Sequence, residues 1–104
     1  MSFSVRRDGD TVIIYITGRL LVGNRTELKE LVFREWDTGA RHFVVDFAET
    51  GFVDSAGLGA LVSISKNLRM RGGDVRLCNL NDDLRTLFAL TKLDTLFDID
   101  SAPS

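Results

Sequence analysis

The stretch that decides the fold is FVVDFAETGFVDSAGLGALVSISKNLRMRGGDVRLC, residues 43–78. It opens with a mostly apolar run over 43–47 and closes with a second, shorter one over 75–78, in which Val75 and Leu77 are the apolar positions and Cys78 extends the run. Between these runs, apolar residues recur at helical spacing over about 56–70, and a pair of glycines ends that pattern. A strand, a helix and a strand in this order predict two parallel strands joined by a right-handed crossover.

Two further strands are predicted before this stretch. Phe3 and Val5 alternate with serines ahead of the polar turn Arg7–Asp10, and a β-branched and aromatic run follows over Val12–Ile16. Gly18 is predicted to end the second strand. The short turn predicts antiparallel pairing of these two strands, and the apolar second strand is expected to be covered on both faces.

Helical patterns also lie on both sides of the central stretch. The first helix is predicted to start at Asn24 or Thr26, either of which can act as its N-cap, and to end at Thr38-Gly39. The third helix follows the capping sequence Asn81-Asp82-Asp83. A last short helical turn and strand are predicted over 93–99.

Together these elements predict a single α/β domain over 1–100 and a polar tail over 101–104. The sheet is expected to have four to five mainly parallel strands with an antiparallel N-terminal edge strand, packed against about four helices. A chain of 104 residues has room for one such core and can bury it without disulfides or metals.

Composition excludes several classes of function. With 13 basic and 15 acidic residues, the chain lacks the strongly basic character of a protein that binds nucleic acid directly. Cys78 and His42 are the single cysteine and histidine, so neither an intrachain disulfide nor a four-ligand zinc site is expected. No apolar run approaches the roughly 20 residues that span a bilayer, and no signal peptide is evident. We therefore expect a cytoplasmic protein without cofactor, metal or membrane contact.

The segment with the strongest functional signal is Asp54–Gly59, which follows the third strand after a loop predicted over 48–53 and opens the second helix. Backbone N–H groups at such a helix start can stabilise an anion, including a phosphate. Gly57 and Gly59 keep the surface around Ser55 low, which would let another protein approach closely. Serine and aspartate are also favoured N-caps, so the local spacing alone favours simple capping. Hydrophobic residues around the segment are expected to be core contacts: Phe52, Val53, Leu58 and Leu61.

The longer sequence resembles the STAS-domain family, specifically the bacterial anti-sigma factor antagonists. Its most specific part is Phe52–Leu61, in which Asp54-Ser55-Ala56-Gly57-Leu58-Gly59 stands with both flanks. The resemblance extends over nearly the full length, more loosely near the N-terminus, through the segments Ile16–Leu20, Glu27-Leu28, Val44–Phe47, Arg69–Leu77 and Leu87–Phe97.

This resemblance implies partner switching by a protein that is not an enzyme. The unphosphorylated form would bind an anti-sigma factor that is also a serine protein kinase, phosphorylation of Ser55 would end that binding, and a metal-dependent serine phosphatase would restore it. The partner-binding residues that it implies are Asp54, Ser55, Ala56, Gly57, Leu58, Gly59, Arg19, Leu21 and Asn24.

One position departs from the family pattern. Phosphorylated members often have an acidic residue after the second strand, in a Gly-x-Leu-Asp sequence, where this chain has Leu21. A constitutive STAS scaffold in a signalling, transport or secretion complex, without a phosphate switch, is therefore the alternative function. Without the acidic residue, Arg19 and Arg25 would make this edge a basic surface for an acidic partner; simple loop variation is an equally open explanation of the departure.

Enzymatic readings have less support in the sequence. Asp46 ends a strand as a phosphate-accepting aspartate would, but the acidic pair and the lysine that such a site needs are missing, which favours a structural role. A hydrolytic triad of Ser55, His42 and an aspartate has little support, because the sequence around Ser55 lacks the Gly-x-Ser-x-Gly turn of a hydrolase. Gly57-x-Gly59 lacks the third glycine of a dinucleotide site and the Lys-Ser/Thr pair of a P-loop.

Overall fold

The computed structural model describes residues 2–20, 25–95 and 97–100. Ten elements follow one another in this part of the chain. They are β1 (Ser2–Asp8), β2 (Thr11–Leu20), α1 (Arg25–Asp37), β3 (His42–Asp46), β4 (Thr50–Val53), α2 (Ser55–Met70), β5 (Asp74–Cys78), α3 (Asp82–Leu90), a 3₁₀ turn (Leu93–Thr95) and β6 (Asp98–Asp100).

The sheet has the strand order β1-β2-β3-β5-β6, and β4 pairs with the far end of β2. β1 and β2 are antiparallel, whereas β2–β3, β3–β5, β5–β6 and β2–β4 are parallel pairs. The predicted α/β class, the mainly parallel sheet and its antiparallel N-terminal edge are thereby confirmed. Within the described residues there are three α-helices and the 3₁₀ turn, close to the expected four helices.

The central crossover forms where the sequence placed it, because its core-facing positions are apolar. Along α2 the buried apolar side chains include Leu61, Ile64 and Leu68, which recur at helical spacing and face the sheet. Phe43 and Leu77, on the adjacent strands β3 and β5, are also fully buried. Cys78 is buried as well, as a small apolar residue at the end of β5.

Two expectations around β2 and β4 were wrong. Gly18 does not end β2, because the strand continues to Leu20 and its last residues pair with β4, inside the stretch 48–53 predicted as a loop. Gly18 has φ +102°, and its N–H donates to the Glu49 carbonyl at 3.0 Å. A glycine adopts that backbone conformation without steric cost, so β2 continues past it to Leu20.

β4 contains a β-bulge that determines which of its side chains face solvent. Thr50 pairs with Gly18 and Phe52 with Arg19, which leaves Gly51 as one extra residue on β4. The extra residue reverses the in-and-out alternation, so Thr50 and Val53 are buried while Phe52 is 50% exposed. The prediction that Phe52 is a core contact is therefore wrong, whereas Val53, Leu58 and Leu61 are buried as expected.

No helix in the described ranges is both long and apolar enough to cross a membrane.

A histidine bracketed by two carboxylates lies at the amino ends of β3 and β5. His42 Nδ1 is 2.7 Å from Asp74 Oδ1, and His42 Nε2 is 3.7 Å from Asp10 Oδ2. The hydrogen bond to Asp74 and the charge of Asp74 raise the pKa of His42 above 6.5, and Asp10 adds to the rise. The cluster is solvent-exposed, so its contribution to stability is small.

We expect this histidine to make stability depend on pH. A raised pKa in the folded state means that the stabilisation is complete below the unfolded pKa and is lost as pH rises through the folded value. Melting temperature should therefore fall by a few degrees at most between about pH 6 and about pH 8.5 because of this group. The melting temperature of His42→Gln should lack this part of the fall when the wild type and the variant are melted across the same pH range. Identical pH profiles of the two proteins would contradict a stabilising role of protonated His42.

Candidate functional site

The segment Asp54–Gly59 begins α2 at the carboxyl end of the sheet, and Asp54 is the N-cap. Its backbone is extended (φ −87°, ψ 178°), and its Oδ1 accepts a 2.7 Å hydrogen bond from the Gly57 N–H. The Leu58 N–H donates to the Asp54 carbonyl at 2.9 Å. Asp54 therefore fulfils the capping role that the sequence left open between aspartate and serine.

Ser55 is the first helical residue of α2, and it is exposed. Among the described residues, no hydrogen bond involves its hydroxyl, since the capping contacts belong to Asp54. N–H groups in the first turn of a helix carry partial positive charge. A phosphate attached to Ser55 would lie near these groups and near the carboxylate of Asp54.

The other residues of the segment differ in how deeply they are buried. Gly59 is exposed and Ala56 is partly exposed, whereas Gly57 and Leu58 are buried beneath them. A partner would thus meet Ser55, Ala56 and Gly59 first. Gly57 and Leu58 position the exposed residues from below.

The second predicted part of the partner surface is only partly described. The backbone of Arg19 pairs with Phe52 on β4, which brings the end of β2 beside the strand that leads to Ser55. Leu21 and Asn24 lie outside the described residues.

The sequence did not predict that Phe52 is exposed beside the candidate site. Phe52 is half exposed, and it lies three positions before Ser55. Gly51 was the residue that could have indicated this exposure, because a glycine inside a strand often marks a bulge.

Asp46 and His42, the residues considered for catalysis, have other roles. Asp46 is buried; it accepts from the Ala48 N–H at 2.8 Å, and the Asn79 side-chain amide is 3.2 Å from both its oxygens. These contacts hold the turn after β3 and agree with the structural role expected for Asp46. His42 lies at the opposite, amino end of β3, away from Ser55. Within the described residues, no group of acidic, cysteine and histidine side chains could hold a metal ion.

Comparison with known proteins identifies the family. The family model described as "STAS domain" matches residues 2–103, so the chain belongs to the STAS-domain family. An anti-sigma-B factor antagonist from Listeria monocytogenes is 30% identical over 93 residues, which cover 89% of this chain and 82% of that protein. An anti-sigma-B factor antagonist from Bacillus subtilis is 27% identical, with 97% of this chain and 92% of that protein covered.

Solved structures share the fold. The anti-sigma factor antagonist SpoIIAA has a TM-score of 0.79 at 18% identity, covering 98% of this chain and 90% of that one. At this identity the likeness shows the fold alone. SpoIIAA from Bacillus has been solved in an unphosphorylated and in a phosphorylated form.

Proposed function

We propose that the chain is a cytoplasmic anti-sigma factor antagonist that acts by partner switching and is not an enzyme. Its unphosphorylated form binds an anti-sigma factor that is also a serine protein kinase, phosphorylation of Ser55 releases that partner, and a metal-dependent serine phosphatase restores binding. The observation that carries the proposal is the exposed Ser55 on the first turn of α2, with the capping role taken by Asp54. The names of the relatives support it.

Electrostatics explains how one phosphate can end binding while the domain stays folded. A phosphoserine adds about −1.5 to −2 charges at neutral pH. Inside a protein interface that charge must lose its water and lie near Asp54, which disfavours the complex. In the free protein, the helix dipole and solvent stabilise the same charge. A difference of about 2–3 kcal/mol in binding lowers affinity by about 30- to 150-fold.

Incubation with ATP and the anti-sigma factor kinase of the same genome tests the phosphorylation step. Intact mass should rise by about 80 Da, one phosphoryl group, and Ser55→Ala should abolish the gain. Ser63→Ala, which removes a partly exposed serine on the same helix, is the matched control and should keep the gain.

Two other outcomes would contradict parts of the proposal. Tight binding to the kinase without a mass gain would support the constitutive scaffold instead. Hydrolysis of ester or phosphate substrates that is lost in Ser55→Ala would contradict a non-enzymatic function.

Gly59 offers a test that separates stability from binding. A Cβ added to Gly59 would meet nothing within 4 Å, although the residue lies inside a helix. Gly59→Ala should therefore stabilise the fold by about 0.5–1 kcal/mol, because alanine loses less backbone entropy. The same methyl group should weaken kinase binding if the partner approaches α2 closely. Calorimetric melting and a binding titration measure the two effects, and unchanged affinity would argue against close approach at this turn.

A further inference from the structure

Phe52 is a large apolar side chain that the fold leaves half exposed to solvent. It is 50% exposed, and the bulge at Gly51 is what turns it outward. Gly51 itself is exposed beside it and has no side chain to obstruct an approaching protein. Because an aromatic ring in water forgoes the free energy of burial, its placement next to Ser55 requires an explanation.

The backbone that carries Phe52 is fixed on both sides. The Thr50 hydroxyl donates to the Ile16 carbonyl at 2.7 Å, and the Thr50 N–H donates to the Phe47 carbonyl at 3.0 Å. Val53, on the other side, is 1% exposed and belongs to the core. Phe52 is therefore presented from an ordered strand, and a partner that binds it orders little more than one side chain.

Phe52 lies within reach of any protein that acts on Ser55. Ser55 is the third residue after Phe52, so the two Cα atoms are at most about 11 Å apart. A standard interface covers about 800 Å² of each partner, equivalent to a disc of about 16 Å radius. A partner centred on Ser55 with such a footprint covers Phe52 as well.

We infer that Phe52 is the aromatic anchor of the interface with the serine kinase. Its ring inserts into an apolar pocket of that partner. The inference rests on the proposed function, since it takes the kinase that modifies Ser55 as the partner. Aromatic side chains near the centre of an interface commonly dominate the binding energy. Phe52 supplies affinity in the unphosphorylated state, and Ser55 supplies the switch that overcomes it.

The test compares two exposed apolar residues, Phe52 on β4 just before the start of α2 and Met70 at the end of α2. Phe52→Ala should weaken binding of the unphosphorylated protein to the kinase by about 30-fold or more and raise the KM for its phosphorylation, while the melting temperature changes little. Phe52→Leu, which keeps an apolar side chain, should retain more of the affinity. Met70→Ala is the control, because Met70 is 87% exposed and lies 15 residues along α2 from Ser55, about 22 Å away. It should bind like the wild type.

The possible failures are distinguishable. If the kinase binds and phosphorylates the wild type but Phe52→Ala binds equally well, the anchor inference is overturned and the proposed function stands. Equal losses in Phe52→Ala and Met70→Ala would also overturn it, because the effect would not be local to Ser55. If the wild type is neither bound nor phosphorylated, the proposed function fails and the anchor inference fails with it.

Discussion

Phe88→Ala is expected to lower the free energy of unfolding by about 3–5 kcal/mol. Phe88 is fully buried on α3, and its ring packs edge-on against Phe97 with centroids 6.0 Å apart. Truncation removes the buried apolar area, the aromatic contact and the support of Phe97, and it leaves a cavity that the surrounding core fills only partly. Since domains of this size have about 5–15 kcal/mol in total, the variant should lose much of its stability.

The matched control for this variant lies two residues further along the same helix. Leu90 is 79% exposed, so Leu90→Ala should change stability by no more than about 0.5 kcal/mol. Urea unfolding of the wild type, Phe88→Ala and Leu90→Ala measures both effects. Similar midpoints for Phe88→Ala and Leu90→Ala would contradict the packing described for α3.

The second large effect is expected at Ser55 itself. Ser55→Asp should weaken binding to the anti-sigma factor kinase at least about tenfold, because it places a second carboxylate beside Asp54 within the proposed interface. Ser55→Asn has nearly the same shape without the charge and should retain most of the affinity. Both variants should melt within a few degrees of the wild type, since Ser55 is exposed and Asp54 is the cap.

These two variants separate charge from shape. Equal loss of binding in Ser55→Asp and Ser55→Asn would mean that the serine side chain is needed for fit, and the electrostatic account of release would be wrong. Unfolding of Ser55→Asp would instead show that Ser55 has a structural role.

Much of the fold could be predicted because local signals and packing agree. The apolar runs on either side of the α2 pattern fixed the parallel crossover, and Asn81 caps α3 as expected, accepting from the Leu84 N–H at 2.8 Å. The position of Ser55 at a helix start also followed from the sequence. Its proposed role as a kinase target rests on the family resemblance, because an exposed serine near a helix cap has no feature of its own that indicates phosphorylation.

The wrong predictions concern the end of β2, the strand β4 and the exposure of Phe52, all of which depend on pairing between residues distant in sequence. β4 has only four residues, and its apolar pair Phe52-Val53 does not alternate, so nothing local distinguishes it from a loop. It forms because Gly18 allows β2 to continue past the expected end and offer a partner strand. The bulge at Gly51 then decides which side chain faces water, and that depends on register rather than on composition.

In the proposed function, phosphate on Ser55 turns a binding surface into a non-binding one without unfolding the domain. The most direct measurement is a calorimetric titration of the anti-sigma factor kinase with two preparations of the wild-type chain, one unphosphorylated and one phosphorylated on Ser55. The affinity should fall by about 30- to 150-fold on phosphorylation, while the two preparations melt within a few degrees of each other. Equal affinities for two folded preparations would contradict the claim.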